Sequence, residues 1–289
     1  MMIGIITVLL MFRKINDYTE KLYMGLNTEN KYKISIEVVQ EASKDKSQVN
    51  WMEVLAIAYV IENKEIEKIN RNMLRDISEK FIETSYGDFK TKTIENVMKD
   101  MKLSKEKQKE ILEEAKIINE EYKASELDKS QVTFIEEIEV HAKNTYLEFG
   151  ILPSIVTSQA ILESGWGKSY LTQNANNLFG IKADDRWEGE VLSMNTKENY
   201  DDNVVASFRK YNSYEHSIND YGEFLNENKR YKEHGVFESL DYTEQAKALE
   251  NAGYSTKKNK KGEYIYADML IEIIQRYNLQ LLDIEVKRK

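Results

Sequence analysis

The sequence has no cysteine, one proline, three histidines and twelve glycines among its 289 residues. Without cysteine the chain can form no disulfide, no thiolate nucleophile, no cysteine-bound zinc site and no iron–sulfur cluster. The three histidines, His141, His216 and His234, are too far apart to share one helical turn, which argues against a histidine-rich metal site. The scarcity of glycine and proline leaves few breaks and predicts a mostly helical protein.

The charge balance excludes a further class of protein. The chain has 41 Lys+Arg against 50 Asp+Glu, a formal net charge of −9. General nucleic-acid binding needs a basic face that displaces counterions from the phosphates, so we expect no nucleic-acid partner. The hydrophobic share of 41% and the charged share of 31% are typical of a globular, water-soluble chain, and the length allows two domains.

Residues 1–14 form an apolar N-terminal segment. Its first twelve residues read MMIGIITVLLMF, and Arg13 and Lys14 follow them directly. As a helix the apolar run would cover about 18 Å, less than the roughly 30 Å of a bilayer core. It has no basic leader and no clear small-residue cleavage site. It is the end of a truncated membrane anchor, a short export signal, or a helix packed on the protein. We expect membrane contact and an extracytoplasmic location, because a polar chain follows at once.

Glycine divides the chain into two parts. Only three glycines precede position 130, and the other nine lie between Gly150 and Gly262. Residues 31–128 are rich in Lys and Glu, with apolar residues at helical spacing, and predict an all-α N-terminal domain of unknown role. Trp51 is expected in its core. Residues 124–130 (ASELDKS) are the predicted linker.

Residues 131–283 predict an α+β domain. The first helix ends at Gly150; the second opens at Pro153 and ends at Gly165. Alternating side chains in residues 192–198 and a return over residues 204–211 predict a β-hairpin. Three more helices are expected, and their markers are Ile218 to Leu225, Asp241 to Gly253, and Met269 to Tyr277.

Glu163 is the most informative polar residue. It follows Gln159 by four positions and Val156 by seven, so the three share one helix face. The negative end of the helix dipole and partial burial both raise the pKa of such a carboxyl. A carboxylic acid that is protonated near neutral pH can give its proton to a leaving oxygen. Gly165 and Gly167 would leave it open to a cleft; the spacing also fits a surface glutamate before a helix end.

Glycoside hydrolysis normally uses a second carboxylate. The candidates near the hairpin are Asp184, Asp185, Glu188, Glu190, Glu198, Asp201 and Asp202. Glu198 is favoured because it alternates with Leu192 and Met194 and should face inward. The same region has aromatic residues that suit a glycan cleft or core packing, namely Trp187, Tyr200, Tyr211 and Tyr214.

Five segments in order carry a resemblance to a known family. They are SQAILESGWGKSYL, NNLFGIK, the W-x-G and T-x-E residues of 187–198, FRKYNSYEHSINDY and ALENAGYST. Together, over residues 131–283, they resemble the bacterial endo-β-N-acetylglucosaminidases of glycoside hydrolase family 73, which include flagellar peptidoglycan hydrolases and autolysins. The resemblance implies a lysozyme-like, mainly α fold with a small β-hairpin lobe beside a glycan groove.

The resemblance also implies a reaction and a set of site residues. The substrate would be peptidoglycan, cut at the β-1,4 bond between N-acetylglucosamine and N-acetylmuramic acid. Glu163 matches the family's general acid, Glu198 the second carboxylate and Tyr254 the active-site tyrosine. The residues implied to bind the substrate are Asn177, Phe179, Gly180, Tyr200 and Tyr211. No metal or organic cofactor is implied.

Several alternatives remain open. The same fold hosts muramidases and lytic transglycosylases, and a binding-only assembly factor would hold peptidoglycan without cutting it. The lysine-rich KKNKKGEY, where family members usually have a short turn, is a solvated hairpin tip or an anchor for anionic wall polymers or stem peptides. Residues 31–128 resemble helical segments that precede wall hydrolases in Gram-positive bacteria; they would bind a protein partner, and residues 1–14 would tether the chain to a membrane.

Overall fold

The computed structural model describes residues 30–44, 46, 48–85, 88–198 and 202–287. The apolar segment predicted at residues 1–14 lies outside these ranges. Two compact units divide the chain: the first takes most of the described residues up to Asn119, and the second takes Glu120 onward together with two short stretches, Asp45–Gln48 and Asp88–Thr91. Within the described ranges, no helix is both long enough and apolar enough to cross a membrane.

The N-terminal region is mainly helical. Its elements are α1 (residues 30–43), α2 (Trp51–Ile61), a 3-10 turn (Ile66–Lys68), α3 (Arg71–Phe81), β1 (Ile82–Ser85), β2 (Asp88–Thr91), α4 (Ile94–Asp100) and α5 (Lys105–Glu126). Trp51 is 1% exposed, so its predicted core position is confirmed. The all-α prediction is wrong because the region also contains the two short strands β1 and β2. Strands of four residues are too short to show the alternation that identifies a strand.

The second unit contains α6 (Lys129–Phe149), α7 (Pro153–Ser164) and α8 (Tyr170–Ala175). A capping box between Asp128 and Gln131 starts α6, and Gly150 ends it in the left-handed conformation. Pro153 opens α7, where its missing N–H leaves no hydrogen bond unmade. Only two residues separate α5 from α6, so most of the predicted linker at 124–130 is helical.

The predicted β-hairpin is present as β3 (Val191–Glu198) and β4 (Asp202–Arg209). The strands pair antiparallel, with Leu192 opposite Phe208 and Met194 opposite Ala206. Leu192 and Met194 are half-buried while their neighbours along the strand are exposed, which is the alternation expected from the sequence. The return strand starts two residues earlier than predicted.

Five helices follow the hairpin: α9 (Tyr214–Glu227), α10 (Lys229–Glu233), α11 (Tyr242–Asn251), α12 (Tyr266–Arg276) and α13 (Gln280–Lys287). The three predicted helices correspond to α9, α11 and α12. The helices α10 and α13 were not predicted, because they are too short for a periodic apolar pattern to stand out.

The helix α7 runs through the middle of this unit. Every residue from Pro153 to Ile161 is buried, and α6, α11, α12 and α13 all pack against it. A helix that is covered on all sides is held in place from several directions. The last turn of α7, which carries Glu163, is therefore the exposed end of a fixed helix.

Candidate active site

The chain turns sharply after Glu163. Gly165, Trp166 and Gly167 have φ angles of 57°, 62° and 73°, so three successive residues adopt the left-handed conformation. A Cβ atom on Gly167 would lie 2.8 Å from the ring of Phe134, so only glycine fits there without displacing that ring. This turn leads the backbone away from the end of α7, and the Glu163 side chain is exposed.

Burial by surrounding protein raises the pKa of Glu163, while a hydrogen bond from Tyr266 and the positive charge of Lys257 both lower it. Desolvation is the largest of these effects. The Glu163 side chain is exposed to solvent, yet desolvation is the largest effect on its pKa. A carboxyl in a recess that is open to water on one side has both properties. The direction of the shift agrees with the effect of burial expected from the sequence.

A chain of hydrogen bonds runs from the core to this carboxyl. The Tyr221 hydroxyl donates to Oε1 of Gln159, and Nε2 of Gln159 donates to the Tyr266 hydroxyl at 2.9 Å. The Tyr266 hydroxyl donates in turn to Oε1 of Glu163 at 2.9 Å. Gln159 and Tyr221 are fully buried, and Tyr266 is 2% exposed. We call these four residues the Glu163 relay.

Sequence reasoning missed Tyr266. It shares the buried face of α12 with Leu270 and Ile274, at a spacing of four, so its burial could have been predicted. A buried tyrosine normally finds a partner for its hydroxyl, but the partner here lies 103 residues away along the chain.

Tyr254 lies beside the relay. Its ring stacks on Tyr266 with centroids 5.4 Å apart, and it also contacts the rings of Tyr221 and Tyr231. Burial, together with the charge of Glu163 and the neighbouring tyrosines, raises the pKa of Tyr254 well above its ordinary value. Within the described residues its hydroxyl has no hydrogen-bond partner. The structure therefore places Tyr254 next to the relay as a neutral hydroxyl.

Two of the seven candidates for the second carboxylate are engaged elsewhere. Asp184 pairs with Arg186 and Arg209, and Glu190 pairs with Lys210 at 2.6 Å. Hydrogen bonds from these cations lower the pKa of both carboxyls, so they are held as anions. Asp185 and Glu188 are exposed. The side chains of the remaining three lie outside what the structure describes, namely Glu198, Asp201 and Asp202.

Two of the residues predicted to bind substrate are buried in the loop after α8. Asn177 is 1% exposed; its amide donates to the carbonyls of Ile181 and Arg209 and accepts from the Ile181 N–H. Phe179 is 5% exposed and stacks on Tyr221 with centroids 4.1 Å apart. Gly180 is exposed, with a φ of 66°. Asn177 and Phe179 are therefore largely covered by the protein itself, and their contact with substrate stays a prediction.

Tyr211 is also buried, and its hydroxyl donates to Asp220 at 2.6 Å. Burial and this carboxylate raise the pKa of Tyr211. Its ring meets that of Trp187 edge-on, and the Arg209 guanidinium lies 4.8 Å from the Trp187 ring centroid. Tyr211 thus packs against the base of the hairpin, and its contact with a sugar stays a prediction. Tyr200 lies outside the described residues.

The W-x-G motif has a local explanation. The Trp187 Nε1–H donates to the carbonyl of Glu190 at 2.9 Å, which folds the ring back over the turn. A Cβ atom on Gly189 would lie 2.4 Å from that ring. Glycine is therefore needed for the tryptophan to adopt this position.

The lysine-rich segment between α11 and α12 is a small hairpin tip, which confirms the predicted local structure. Lys258 pairs with Tyr264, and Gly262 completes the turn with a φ of 84°. The tip contains four lysines, Lys257, Lys258, Lys260 and Lys261. None of them forms an ion pair with any of the described residues. No group of three or more histidines and carboxylates in the described part of the chain is arranged to hold a metal ion.

Comparisons with known proteins give one family-model match, which lies in the C-terminal part of the chain. Residues 139–279 fit the family model Glucosaminidase, described as mannosyl-glycoprotein endo-beta-N-acetylglucosaminidase. The chain is 32% identical over 201 residues to the peptidoglycan hydrolase FlgJ of Vibrio parahaemolyticus, covering 67% of this chain and 62% of that protein. It is 37% identical over 166 residues to the exo-glucosaminidase LytG of Bacillus subtilis, covering 55% of each.

A solved structure, the catalytic domain of the autolysin Auto from Listeria monocytogenes, covers 54% of this chain and 89% of its own, at 30% identity and a TM-score of 0.48. The chain spans less than two thirds of the length of FlgJ and of LytG. The family model matches the C-terminal part of the chain, and both relatives carry the names of a peptidoglycan hydrolase or a glucosaminidase. Residues 139–279 are a domain of the glucosaminidase family, glycoside hydrolase family 73.

Proposed function

We propose that this protein hydrolyses peptidoglycan at the β-1,4 bond between N-acetylglucosamine and N-acetylmuramic acid, with Glu163 as the general acid. The observation that carries the proposal is an exposed carboxyl whose pKa is raised by burial at the end of a fixed helix. Such a group holds a proton at a higher pH than an ordinary glutamate and is open to a ligand. Membership of the glucosaminidase family supports the bond that is cut.

The chemistry needs little beyond the residues around Glu163. Its proton passes to the glycosidic oxygen as the bond to the sugar breaks, and the Tyr266 hydroxyl stabilises the carboxylate left behind. Tyr254 offers a neutral hydroxyl beside the same group. Glu198 is the proposed second carboxylate, acting as a base on water or stabilising positive charge while the substrate's own N-acetyl group attacks.

A digest of purified peptidoglycan with wild type and Glu163→Gln tests the proposal. Glutamine keeps the oxygen that accepts from Tyr266 but has no acidic proton, so hydrolysis should fall by at least about 10²-fold. Products are reduced with borohydride and identified by mass spectrometry. Reduced N-acetylglucosamine ends from the wild type alone are the expected result, and equal turnover by the variant would contradict the role of Glu163.

The same digest separates the alternatives. Reduced N-acetylmuramic acid ends would indicate a muramidase, and anhydro-muramic ends a lytic transglycosylase. Bound wall material with no products would indicate an assembly factor. Fragment length distinguishes internal cleavage, as the family description states, from the terminal cleavage that the name of LytG indicates for that protein.

We also propose an extracytoplasmic location, because intact peptidoglycan lies outside the cytoplasmic membrane. The apolar run within residues 1–14 is the proposed membrane tether. Residues 31–128 are the region through which a protein partner would bind. A Gram-positive host is the proposal that the N-terminal pattern favours, although relatives occur in both Vibrio and Bacillus.

A further inference from the structure

All three hydrogen bonds of the Glu163 relay donate in the direction of Glu163. The oxygen of the Gln159 amide accepts from Tyr221, which turns its NH₂ group towards Tyr266. An amide nitrogen only donates, so the Tyr266 oxygen accepts there. The single hydrogen of that hydroxyl is then left for Glu163.

Burial holds this direction in place. Gln159 and Tyr221 are 0% exposed and Tyr266 is 2% exposed, so water cannot replace a lost partner. A buried hydrogen-bonded network with every member engaged keeps one arrangement, because reversing one bond leaves another group unpaired. The hydroxyl of Tyr266 is thus restrained from the core side of α7.

We propose that Gln159 is a positioning residue that fixes the Tyr266 hydroxyl as a donor to Oε1 of Glu163 and so reserves Oε2 for the proton that is given to the leaving oxygen. The role of that proton rests on the function proposed above. A carboxyl that accepts a hydrogen bond at one oxygen carries its own proton on the other.

The step balances with water as the second reactant: the anomeric carbon that loses the bond is attacked by water, or first by the substrate's own N-acetyl oxygen and then by water. The proton moves from Oε2 to the glycosidic oxygen, which also takes the electron pair of the breaking bond. Glu163 becomes a carboxylate, and the bond from Tyr266 becomes charge-assisted and stronger. Because this gain is largest when the proton has left, the relay stabilises the transition state more than the ground state.

The groups that face Glu163 come from three elements. Tyr221 is on α9, Tyr266 is on α12, and Tyr254 and Lys257 lie between α11 and α12. The pKa values of the three tyrosines are raised well above their ordinary value, so they are neutral where glutamate titrates. Lys257 is the cation among them, and it lowers the pKa of Glu163.

The sign of one titration shift tests the direction of the relay. Tyr266→Phe removes only the hydroxyl. If Tyr266 donates to the carboxylate, the variant has a higher Glu163 pKa; if Glu163 instead donates to Tyr266, its pKa falls. The probe is the carbon-13 carboxyl signal of Glu163 in the full chain without substrate, assigned by its absence in Glu163→Gln. A lower pKa overturns the proposal.

Gln159→Met tests the positioning role, since methionine has a similar length and cannot fix the hydroxyl. The Glu163 pKa should rise, as in Tyr266→Phe but by less, and an unchanged titration would overturn the role of Gln159. The matched control is Thr157→Val on the same helix, because Thr157 is buried and its hydroxyl has no partner among the described residues. It should leave the Glu163 titration unchanged.

Activity gives a second readout. In both relay variants, kcat should fall about tenfold, as expected when a hydrogen bond to a charged group is lost, with KM little changed. The alkaline limb of the pH profile should move to higher pH. Shifted titrations in a protein that releases no reducing ends would leave the relay standing and overturn the proposed function, whereas an active wild type with unshifted variants would overturn the relay alone.

Discussion

At the scale of single residues, the role proposed for Glu163 makes its protonation state decide the pH range in which the site is active. A general acid is active in its protonated form, so activity is lost as pH rises through its pKa. Burial raises that pKa, and Lys257 and Tyr266 hold the rise in check. The proposed general acid therefore places the alkaline limit of activity above that of an ordinary glutamate, by an amount set by burial, Tyr266 and Lys257.

Replacing Lys257 with glutamine should move the alkaline limb of the pH profile to higher pH, because the variant loses a cation that favours the charged form of Glu163. The measurement is kcat/KM against pH at low ionic strength. The difference from wild type should shrink in high salt, since Lys257 is exposed.

Lys261→Gln at the same tip is the control, since Lys261 exerts no charge effect on Glu163. If the alkaline limb of the pH profile moves equally in both variants, the net charge, and not the position of Lys257, sets the pH dependence.

The sequence allowed prediction of the local part of this site and not of the part that depends on folding. Glu163 could be found because its helix face and the glycines after it lie within a few positions. Gln159 was used only to define that face. Its bond to Tyr266 joins residues 107 positions apart, and no local pattern encodes such a contact.

At the scale of elements, the turn after α7 is set by backbone conformation. Gly167→Ala should lower the free energy of unfolding by roughly 2–4 kcal/mol, because it combines a left-handed φ with a Cβ that would lie 2.8 Å from Phe134. Urea unfolding measures the change.

Gly165→Ala is the matched comparison for that variant. Gly165 is also left-handed, but a Cβ there has no neighbour within 4 Å, so the cost should be only about 1–2 kcal/mol. Equal costs at the two positions would show that contact with Phe134 contributes nothing.

The start of α7 is fixed by a buried carboxyl. Asp283 on α13 accepts from the N–H of Ser154 at 2.8 Å and from its hydroxyl at 2.7 Å. Burial nonetheless raises the pKa of Asp283 from 3.8 to about 6. A pKa that is higher in the folded state means that the folded protein binds the proton more tightly than the unfolded chain.

It follows that the stability due to this proton is fully present below pH 3.8 and is lost as pH rises through about 6. Asp283→Asn should remove this component, so the free energy of unfolding of wild type relative to the variant should decline between pH 4 and 6. Urea unfolding at several pH values measures it, and parallel curves for the two proteins would contradict the assignment.

Helices were predicted correctly where a glycine or proline marks one end, or where apolar residues recur at helical spacing. Pro153, Gly150 and Gly165 located the ends of α6 and α7, and apolar spacing located α9, α11 and α12. The missed elements are short: β1 and β2 have four residues each, α10 has five, α8 has six and α13 has eight. Their formation depends on packing against the rest of the fold, which a short window does not contain.

At the scale of the whole molecule, the C-terminal part has a proposed enzymatic activity, and the N-terminal part has a proposed role in attachment. Residues 139–279 belong to a family whose chemistry can be assayed. The N-terminal region contributes mainly helices and a core around Trp51, with the tether proposed at residues 1–14.

Removing residues 1–14 should shift the protein from the membrane fraction to the soluble fraction of lysed cells, because it removes the apolar run. Immunoblotting of the two fractions measures the shift, and the full-length chain is the reference. The same partition with and without the segment would contradict the tether.

The complete burial of α7 has a consequence for how such an enzyme can change over time. From Pro153 to Ile161 no position faces water, so a substitution that changes the side-chain volume is costly at each of them. New specificities must arise elsewhere, on the exposed face of the hairpin and in the lysine tip, whose residues are largely exposed. The proposed general acid is thus carried by a helix whose buried positions constrain change, while exposed segments around it can diverge.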